Sequence, residues 1–394
     1  MSHSQSRPES SRRRVIILGS TGSIGRSTVE VIEHLRQQGW HFDVVALAAK
    51  SNASELHSQQ ERLGVRETAL ELRDGAGAAL RLVERVARPG DLVVGAMVGA
   101  AGIAPTVAAI ERGCDIALAN KETLVAAGAL VTAAARRNGV QLLAVDSEHS
   151  ALAQCLRTGR SISEVRRVVL TASGGPFRRS SAAAMARATP EAALRHPTWT
   201  MGRKVTIDSA TMMNKALEVI EAHWLFGLEA ERIAVLVHPQ SIVHSLVEFI
   251  DGSVVAQLSP PDMRLPIQLA LTWPERAEGC ARRIDWATLR TLEFESVDLV
   301  RFPAVSLAAE VIQSGGTAGA ILNAANEVAV EAFLSGRLPF MEIPAIVAAA
   351  LASIPRQGAT SLEQVMQADA AARAWVGDRI AACARQTANS PHDR

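Results

Sequence analysis

A glycine-rich loop that directly follows the first apolar segment constrains the fold of this chain more than any other feature. The apolar run Val15–Leu18 ends at Gly19, and Gly19, Gly22 and Gly25 have the spacing GxxGxxG. A tight glycine turn lets backbone amides approach a pyrophosphate, and the following helix adds partial positive charge at its N-terminus. The loop therefore indicates a dinucleotide site, although glycine-rich turns between a strand and a helix also occur without ligands.

Short apolar runs alternate with helical patterns as far as residue 149. The strand candidates after the first run are Val44–Ala48, Leu92–Val94, Ile116–Ala119 and Leu142–Val145. Such alternation is typical of a parallel sheet whose strands are joined by crossover helices. We therefore predict an α/β fold that begins with a Rossmann-like, doubly wound sheet, and we assign residues 15–149 to a dinucleotide-binding domain.

The pattern changes twice after this domain. Residues 150–280 mix short strands with a helix and with loops rich in Gly, Pro and His, which predicts a central α+β catalytic domain. Residues 281–302 are interpreted as a connector, and Ala-rich helical patterns predict a C-terminal helical bundle at 303–385. Residues 1–14 are rich in Ser and Arg and have no apolar run, so we expect a disordered tail rather than a secretory signal.

The composition excludes several classes of function. The 394 residues include 41 basic and 40 acidic side chains in interspersed positions, so nothing indicates a nucleic-acid partner or a membrane surface. No apolar run reaches the ~18 residues that a membrane span needs. The four cysteines include no CxxC pair, which favours reduced thiols and a cytoplasmic protein.

The residues after the second strand indicate which nicotinamide cofactor binds. NAD-specific sites place Asp or Glu there, to hold the ribose 2′-hydroxyl. Here the strand is followed by Lys50, Ser51 and Asn52, which offer a cation and two hydrogen-bonding side chains but no acid. These groups suit a 2′-phosphate, so we predict NADPH. The alternative is a solvated loop that carries a lysine.

Two carboxylates close the strand Leu142–Val145. Asp146 and Glu148 are two residues apart, and residues with this spacing face the same side of an extended segment. Carboxylates aimed at one point repel each other unless a proton or a cation lies between them. Strand ends in such folds also face the ligand crevice. We predict a metal site here, the alternative being a solvated acidic turn.

A third ligand is expected from the helical pattern that begins near Asn214. Asn214 and Lys215 lie four and three residues before Glu218, so these side chains share one helix face. An all-oxygen set of Asp146, Glu148 and Glu218 suits Mn²⁺ or Mg²⁺ rather than Zn²⁺, and Co²⁺ is a further candidate. An ordinary ion pair on the helix surface is the alternative.

Two glycine-containing segments indicate where an anionic substrate binds. Ser173 is followed by two glycines, and its hydroxyl and the exposed amides form a suitable anion nest, to which Ser209 adds a donor. The segment 195–204 combines His, Trp, Met and cations around a glycine, and we predict that it is a lid with Trp199 and Met201 as the apolar cover. The alternatives are a simple turn and a packed structural loop.

Taken together, these motifs resemble the 1-deoxy-D-xylulose 5-phosphate reductoisomerase family. They occur in the family's order over nearly the whole chain. They are GSTGSIG at 19–25, LANKETLV at 118–125, VDSEHSA at 145–151, TASGGPF at 171–177, HPTWTMGRKVTIDSATMMNKALEVIEAHWLF at 196–226, VHPQSIVHSLVEF at 237–249, PDMRLPIQLALTWPER at 261–276 and NAANEVAV at 323–330.

The resemblance implies a homodimeric enzyme of bacterial or plastid type in the non-mevalonate isoprenoid route, with its dimer contact in the central domain. Such an enzyme converts 1-deoxy-D-xylulose 5-phosphate to 2-C-methyl-D-erythritol 4-phosphate with NADPH and a divalent metal. The implied metal ligands and catalytic residues are Asp146, Glu148 and Glu218, with Lys121 as a further catalytic residue. The implied substrate contacts are Lys121, Ser147, Glu148, Ser173, His196, Ser209, Asn214, Lys215 and Glu218. The implied cofactor contacts are Thr21, Gly22, Ser23, Ile24, Asn120, Glu122 and Gly202.

Two other classes of protein remain as alternatives. One is a different NADPH-dependent oxidoreductase. A short-chain dehydrogenase would need a catalytic Tyr, which this chain lacks, and a semialdehyde dehydrogenase would need a nucleophilic Cys, for which Cys114 and Cys155 are the candidates. The other is a catalytically silent nucleotide-sensing protein on the same fold.

Overall fold

The computed structural model describes residues 12–388, with side chains described as far as residue 382. These residues form two compact units, and each unit draws on separate stretches of the chain. The first contains residues up to 123, 131–154 and 262–286; the second contains 124–130, 155–261 and the residues from 287 onward.

A six-stranded parallel sheet is the centre of the first unit. Its strands are β1 (Arg13–Leu18), β2 (Phe42–Ala49), β3 (Glu67–Leu70), β4 (Leu92–Gly95), β5 (Asp115–Leu118) and β6 (Leu142–Ala144). Their order is β3-β2-β1-β4-β5-β6 and every pairing is parallel. This is the strand order of a doubly wound dinucleotide fold, so the predicted fold class is confirmed.

Helices connect these strands. They are α1 (Ser23–Gln37), α2 (Ala53–Leu63), α3 (Glu71–Asp74), α4 (Ala78–Val86), α5 (Ile103–Glu111), α6 (Lys121–Asn138) and α7 (Ser147–Leu156). A 3₁₀ turn at Gly99–Gly102 precedes α5. The central part of α6 belongs to the second unit, and Ala127 departs from helical geometry within it.

The core of the first unit includes a helix from much later in the chain. Strands β1 and β4 bury aliphatic residues against the apolar face of α1. Ile267, Ala270 and Leu271 of the later helix join the same cluster. The expected domain boundary at residue 280 therefore differs from the structure, which places residues 262–286 with the nucleotide-binding sheet. Apolar burial against α1 gives that segment its place.

The first strand begins earlier than the sequence predicts. The expected tail at 1–14 lies outside the described residues as far as Ser11, but Arg13 and Arg14 already belong to β1. Arg13 forms an ion pair with Asp115 at 3.1 Å, and Arg14 forms one with Asp91 at 2.7 Å. These paired arginines extend the strand beyond its apolar residues, so the expected boundary at residue 14 is wrong.

A mixed five-stranded sheet organises the second unit. Its strands are β7 (Val165–Ala172), β8 (Ile233–Val237), β9 (Val243–Phe249), β10 (Val254–Leu258) and β11 (Glu295–Ser296). The order is β10-β9-β7-β8-β11, and within it only β7 and β8 pair in parallel. Strand β11 lies in the expected connector, which thus adds an edge strand to this sheet.

Helices and 3₁₀ turns lie before and between these strands along the chain. The helices are α8 (Ala182–Ala186), α9 (Pro190–Ala193), α10 (Arg203–Ala210) and α11 (Met213–Phe226), and the turns are Ile162–Glu164 and Ala230–Arg232. The helix that joins the first unit is α12 (Arg264–Thr272).

Among the residues that the structure describes, four helices follow the connector. They are α13 (Ala304–Ser314), α14 (Ala318–Leu334), α15 (Glu342–Ser353) and α16 (Leu362–Ala388). Helix α14 is buried along most of its length, and Phe333 near its end makes an edge contact with Phe340 at 5.5 Å between ring centroids. Many of the buried residues of α14 are Ala or Gly, which lets neighbouring backbones pack closely. None of the helices within 12–388 combines the length and apolarity that crossing a bilayer requires.

Candidate functional site

The glycine loop after β1 has the tight geometry that its spacing predicts. Gly19 adopts a φ of +86°, and a Cβ atom there would lie 2.4 Å from the carbonyl oxygen of Ala96. A Cβ on Gly25 would lie 2.3 Å from the carbonyl oxygens of Gly19 and Ser20. Neither position accepts a side chain, because the backbone itself fills the space. Gly22 caps the start of α1, and Gly22 and Ser23 are exposed, while Thr21 and Ile24 are half-buried.

The segment after β2 contains the three residues that are expected to select the cofactor, and one of them also has a structural role. Lys50, Ser51 and Asn52 are all exposed. The side-chain oxygen of Asn52 accepts a hydrogen bond from the amide of Glu55 at 3.1 Å and so caps α2. A capping oxygen already has a structural partner. The cap uses the oxygen of Asn52 and not its side-chain N–H donors, which are the groups that a phosphate would need.

Asn120 holds the start of α6 in place. Its side-chain oxygen accepts from the amide of Thr123 at 2.9 Å, and its amide group donates to the carbonyls of Met97 and Gly99. These contacts tie the loop after β4 to the first turn of α6. Glu122, in that turn, is buried. Both were expected to contact NADPH, and the structure gives Asn120 a framework role beside the loop.

The start of α7 carries the first pair of acidic residues. Asp146 accepts the first helical hydrogen bond through its carbonyl, from the amide of Ser150 at 2.8 Å, and α7 begins at Ser147. The expectation of an extended segment was wrong, because β6 ends at Ala144 and Glu148 already lies in the first helical turn. Carboxylates at a helix N-terminus are stabilised by the helix dipole.

Asp146 has a cationic neighbour of the first unit. Lys121, the first residue of α6, places its Nζ 2.5 Å from Oδ2 of Asp146, and both side chains are largely buried. The hydroxyl of Ser147 donates to the carboxylate of Glu148. The buried ring of His149 lies with Nδ1 3.8 Å from the same Asp146 oxygen. The structure thus gathers one buried cation and two carboxylates at the N-termini of α6 and α7.

A second acidic centre lies at the start of α11. Glu218 accepts hydrogen bonds from the side-chain amide of Asn214 and from the ammonium group of Lys215. The ammonium also donates to the carbonyl of Thr171 at the end of β7. Lys215 is 3% exposed and Glu218 is 1% exposed. These three side chains share one helix face, as their spacing predicts.

His196 joins two hydroxyls in the second unit. Its Nε2 atom lies 2.9 Å from Oγ of Ser173 and 3.1 Å from Oγ of Ser209. Ser173 follows β7 and begins a turn in which Gly174 and Gly175 both have positive φ angles. The Ser173 hydroxyl also accepts from the amide of Gly175 at 3.2 Å. The predicted anion-binding residues Ser173, His196 and Ser209 are therefore in direct contact.

The protonation state of His196 follows from its other nitrogen. Nδ1 accepts hydrogen bonds from the amides of Thr198 and Trp199 at 3.2 and 2.9 Å. A nitrogen that accepts from amides carries no proton, so the ring is neutral and its proton is on Nε2. Burial lowers the pKa of His196 and favours the same neutral form. Nε2–H is therefore the donor to the serine hydroxyls.

Of the expected lid at 195–204, residues 195–202 form an irregular segment between α9 and α10, which we call the lid loop, whereas Arg203 and Lys204 already belong to α10. Trp199 and Met201 in this loop are half-buried, and Gly202 is exposed and caps α10. The ring of Trp199 makes an edge contact with the ring of His244 on β9, with centroids 6.2 Å apart. His196 and Trp199 thus hold the lid loop in contact with the rest of the second unit. Gly202, which was expected to contact the cofactor, also belongs to the second unit.

Comparison with known proteins identifies the family. Family models described as 1-deoxy-D-xylulose 5-phosphate reductoisomerase, as its C-terminal domain and as DXP reductoisomerase C-terminal domain match residues 15–128, 142–226 and 258–375. A reductoisomerase of that name from Rhodospirillum centenum is 49% identical over 385 residues, which are 94% of this chain and 95% of that protein.

The chain belongs to the 1-deoxy-D-xylulose 5-phosphate reductoisomerase family.

Solved reductoisomerases have the same fold over the same length. The enzyme from Zymomonas mobilis, in complex with NADPH, is 42% identical, has a TM-score of 0.84 and covers 94% of this chain and 99% of its own. A reductoisomerase in complex with NADPH, fosmidomycin and magnesium is 36% identical, has a TM-score of 0.85 and covers 93% of this chain and 98% of its own. The motif resemblance and the predicted fold class are confirmed.

Two thiols that an alternative enzyme class would use are inert in this reductoisomerase-family chain. Burial raises the pKa of Cys114 to about 12 and that of Cys155 to about 11. The thiolate is the nucleophilic form of cysteine, and at neutral pH these groups are thiols. The structure therefore gives no support to a semialdehyde dehydrogenase mechanism.

Sequence reasoning missed two features of the site in this family member. The carbonyl of Thr171, which accepts from Lys215, belongs to the backbone and leaves no trace in residue type. His149 lies three residues after Asp146 on α7. The spacing of i and i+3 would have predicted that His149 lies on the same helix face as Asp146, but only if α7 is taken to begin at Ser147.

Proposed function

We propose that this protein catalyses the rearrangement and NADPH-dependent reduction of 1-deoxy-D-xylulose 5-phosphate to 2-C-methyl-D-erythritol 4-phosphate. The observation that carries the proposal is the neutral His196 ring between Ser173 and Ser209, followed along the chain by the Asn214–Lys215–Glu218 group. Hydroxyls and an imidazole N–H beside a cation and a carboxylate suit a substrate with a phosphate at one end and reacting oxygens at the other.

The donor set fits a hard divalent cation. The proposed ligands are the oxygens of Asp146, Glu148 and Glu218, and a set of three carboxylates suits Mg²⁺ or Mn²⁺. Glu218 is 1% exposed, and its carboxylate accepts a hydrogen bond from the ammonium group of Lys215. A magnesium ion in a solved relative supports the same class of ion.

NADPH is the proposed cofactor, held by the glycine loop at Thr21, Gly22, Ser23 and Ile24. Lys50, Ser51 and Asn52 are proposed to contact its 2′-phosphate, and Asn52 also caps α2 through its side-chain oxygen. Asn120, Glu122 and Gly202 are proposed as further contacts or supports. The NADPH complexes of two solved relatives favour this choice over NADH.

Each group has a distinct part in the proposed reaction. When bound, a divalent ion supplies Lewis acidity towards substrate oxygens, and NADPH supplies the hydride. Ser173, Ser209 and His196 hold the phosphate by donating hydrogen bonds, which fixes the reacting end by proximity. Lys121 forms an ion pair with Asp146 and is proposed to polarise or protonate a substrate oxygen, and the hydroxyl of Ser147 orients Glu148. Trp199 and Met201 close over the substrate and exclude water.

A second copy of this chain is the proposed partner. In the second unit Leu246 of β9 pairs across the sheet with Val169 and Ala256, so the three share one face. Leu246 and Ala256 stay half-buried, and Val254 on the same face is 54% exposed. The same face carries the ion pair of Arg167 with Glu248, which lies opposite Val254. Exposed apolar side chains bordered by charges suit burial against a second copy. Sedimentation analysis should therefore give twice the mass of one chain.

The proposed location of the protein is the bacterial cytoplasm.

The decisive test is metal-dependent oxidation of NADPH. Protein stripped with EDTA is assayed by the loss of NADPH absorbance with 1-deoxy-D-xylulose 5-phosphate, before and after addition of Mn²⁺ or Mg²⁺. Substrate-dependent oxidation that returns with metal supports the proposal, and product identity is checked by mass spectrometry. A folded protein that binds NADPH but oxidises none would refute it and favour a silent nucleotide sensor on the same fold.

A further inference from the structure

Asp208 on α10 is a buried carboxylate that the proposed chemistry does not use. It is 1% exposed. Its Oδ2 atom lies 2.9 Å from Nζ of Lys204, one turn earlier on the same helix, and its Oδ1 atom accepts a hydrogen bond from the side-chain amide of Asn326 at 2.8 Å. Burial of a charge without such partners would be costly. Oδ2 therefore has an ion pair without hydrogen-bond geometry, and the hydrogen bond of Oδ1 joins α10 to α14.

The orientation of Asn326 is set by this contact. Asn326 is fully buried, and its Oδ1 atom has no hydrogen-bond donor among the residues that the structure describes. Turning the amide round would point that oxygen at the carboxylate of Asp208. Hydrogen bonds to an ionised acceptor are stronger than neutral ones, which offsets the unsatisfied oxygen. The hydrogen bond from the side-chain N–H group of Asn326 to Asp208 therefore fixes the orientation of this buried amide.

Helix α10 also carries part of the anion-binding group. Ser209, the residue after Asp208, places its hydroxyl 3.1 Å from Nε2 of His196. The backbone of α10 lies directly against the turn after β7, because a Cβ on Gly175 would lie 2.7 Å from the carbonyl oxygen of Ser209. The lid loop ends where α10 begins. The placement of α10 therefore sets the positions of Ser209, of the glycine turn and of the end of the lid loop.

We propose that Asp208 is a positioning residue for the anion-binding group. By bonding to Asn326 it fixes α10 to α14, and α10 in turn holds the Ser209 hydroxyl against His196 and fixes the end of the lid loop. The C-terminal helices thus act on the substrate pocket through one charge-assisted hydrogen bond. The identity of the anion rests on the proposed function, but the positioning role does not.

Three variants separate the hydrogen bond from the ion pair. Asp208→Asn keeps the size of the side chain, removes the charge and puts two amides in contact. The exchange D208N/N326D restores a bond of opposite polarity between α10 and α14 and moves the carboxylate to α14. Lys204→Gln removes the cation of the ion pair and leaves the bond between Asp208 and Asn326 in place. Glu327→Gln is the matched control, because it removes a different α14 carboxylate, which pairs with Arg373 of α16 at 2.5 Å.

Two readouts are taken for each variant. Hydrogen–deuterium exchange at the amides of Thr198 and Trp199, which donate to Nδ1 of His196, reports order in the lid loop without any ligand. Steady-state kinetics separate KM from kcat. For Asp208→Asn we expect exchange at these amides and KM for the sugar phosphate each to rise about tenfold, the size expected for losing a hydrogen bond to a charged group. We expect kcat at saturating substrate to change much less.

The exchange D208N/N326D should recover most of both losses, while Glu327→Gln should change neither, even where it lowers the unfolding temperature. Unchanged amide exchange in Asp208→Asn overturns the proposal. So does a Lys204→Gln variant that reproduces the full effect, because the ion pair would then be the cause. Where Asp208→Asn does not fold, Asn326→Ala removes the same bond and is judged by the same criteria. Faster amide exchange in a protein without reductoisomerase activity would support the positioning role and refute only the proposed substrate.

Discussion

Glu218→Gln removes one charge from a buried pair and tests whether the structural and metal-binding roles of that pair can be separated. Lys215 and Glu218 are 3% and 1% exposed, and the ammonium group donates to the carboxylate. In the variant Lys215 keeps the carbonyl of Thr171 but loses its counter-charge. Removing one partner of a buried pair costs about 3 kcal/mol or more, because it leaves a buried charge without compensation.

Unfolding of the metal-free protein in urea, followed by circular dichroism, measures that stability. We expect Glu218→Gln to lower the free energy of unfolding by about 3 kcal/mol at neutral pH. The double variant K215M/E218Q removes both charges and should recover to within about 1 kcal/mol of the parent, because no buried charge is left unpaired. It should not recover turnover, because the proposed metal ligand is still missing.

Two results would refute this reasoning. If Glu218→Gln is as stable as the parent, the buried pair does not stabilise α11 in the way that its burial and contacts indicate. If turnover and NADPH affinity fall by the same factor, Glu218 is not a metal ligand and the loss reflects general damage. Binding of NADPH without substrate, measured by fluorescence, supplies the second comparison.

Three further predictions concern the cofactor and the lid loop. The double variant of Lys50→Ala and Ser51→Ala should narrow the preference for NADPH over NADH, measured as the ratio of the two KM values. An unaltered ratio in that variant would place the 2′-phosphate elsewhere. Asn52→Ala should lower the free energy of unfolding by about 1 kcal/mol through loss of a helix cap. Trp199→Ala should raise KM for the substrate up to about tenfold, the value of an aromatic pair, and an unchanged KM would reject the lid. His196 has a lowered pKa in the folded protein, so its neutral form contributes its full stabilisation above the ordinary pKa of about 6.5. This stabilisation is lost as the pH falls towards the lowered pKa. The difference in unfolding free energy between the parent and His196→Gln should therefore shrink over that pH window, and a constant difference would contradict the neutral ring.

Much of the fold could be predicted because its signals are local. The glycines at 19, 22 and 25 require a tight turn, and the alternation of apolar runs with helical patterns gives a parallel sheet. Lys215 and Glu218 share a helix face by spacing alone. Each of these inferences needs only neighbours within one or two turns of the chain.

The errors arose where a local pattern has two solutions or where distant segments meet. Asp146 and Glu148 share a side in a strand, but the chain turns into α7 at Ser147, because the segment can cap a helix as well as extend a strand. The bond between Asp208 and Asn326 joins residues 118 positions apart. No periodicity within either helix indicates that contact, and only the packing of α10 on α14 creates it.

The late position of α12 in the chain has a consequence for how the protein is made. All six strands of the nucleotide-binding sheet are present once residue 144 has been synthesised, yet Ile267, Ala270 and Leu271 complete the core of that unit. A nascent chain must therefore carry an uncovered apolar surface on the ribosome while more than a hundred further residues are translated. Such a surface is a natural target for chaperones that bind emerging chains. A fragment cut near residue 149 would keep that surface permanently, so the nucleotide-binding half should not be obtained as a well-behaved protein by simple truncation.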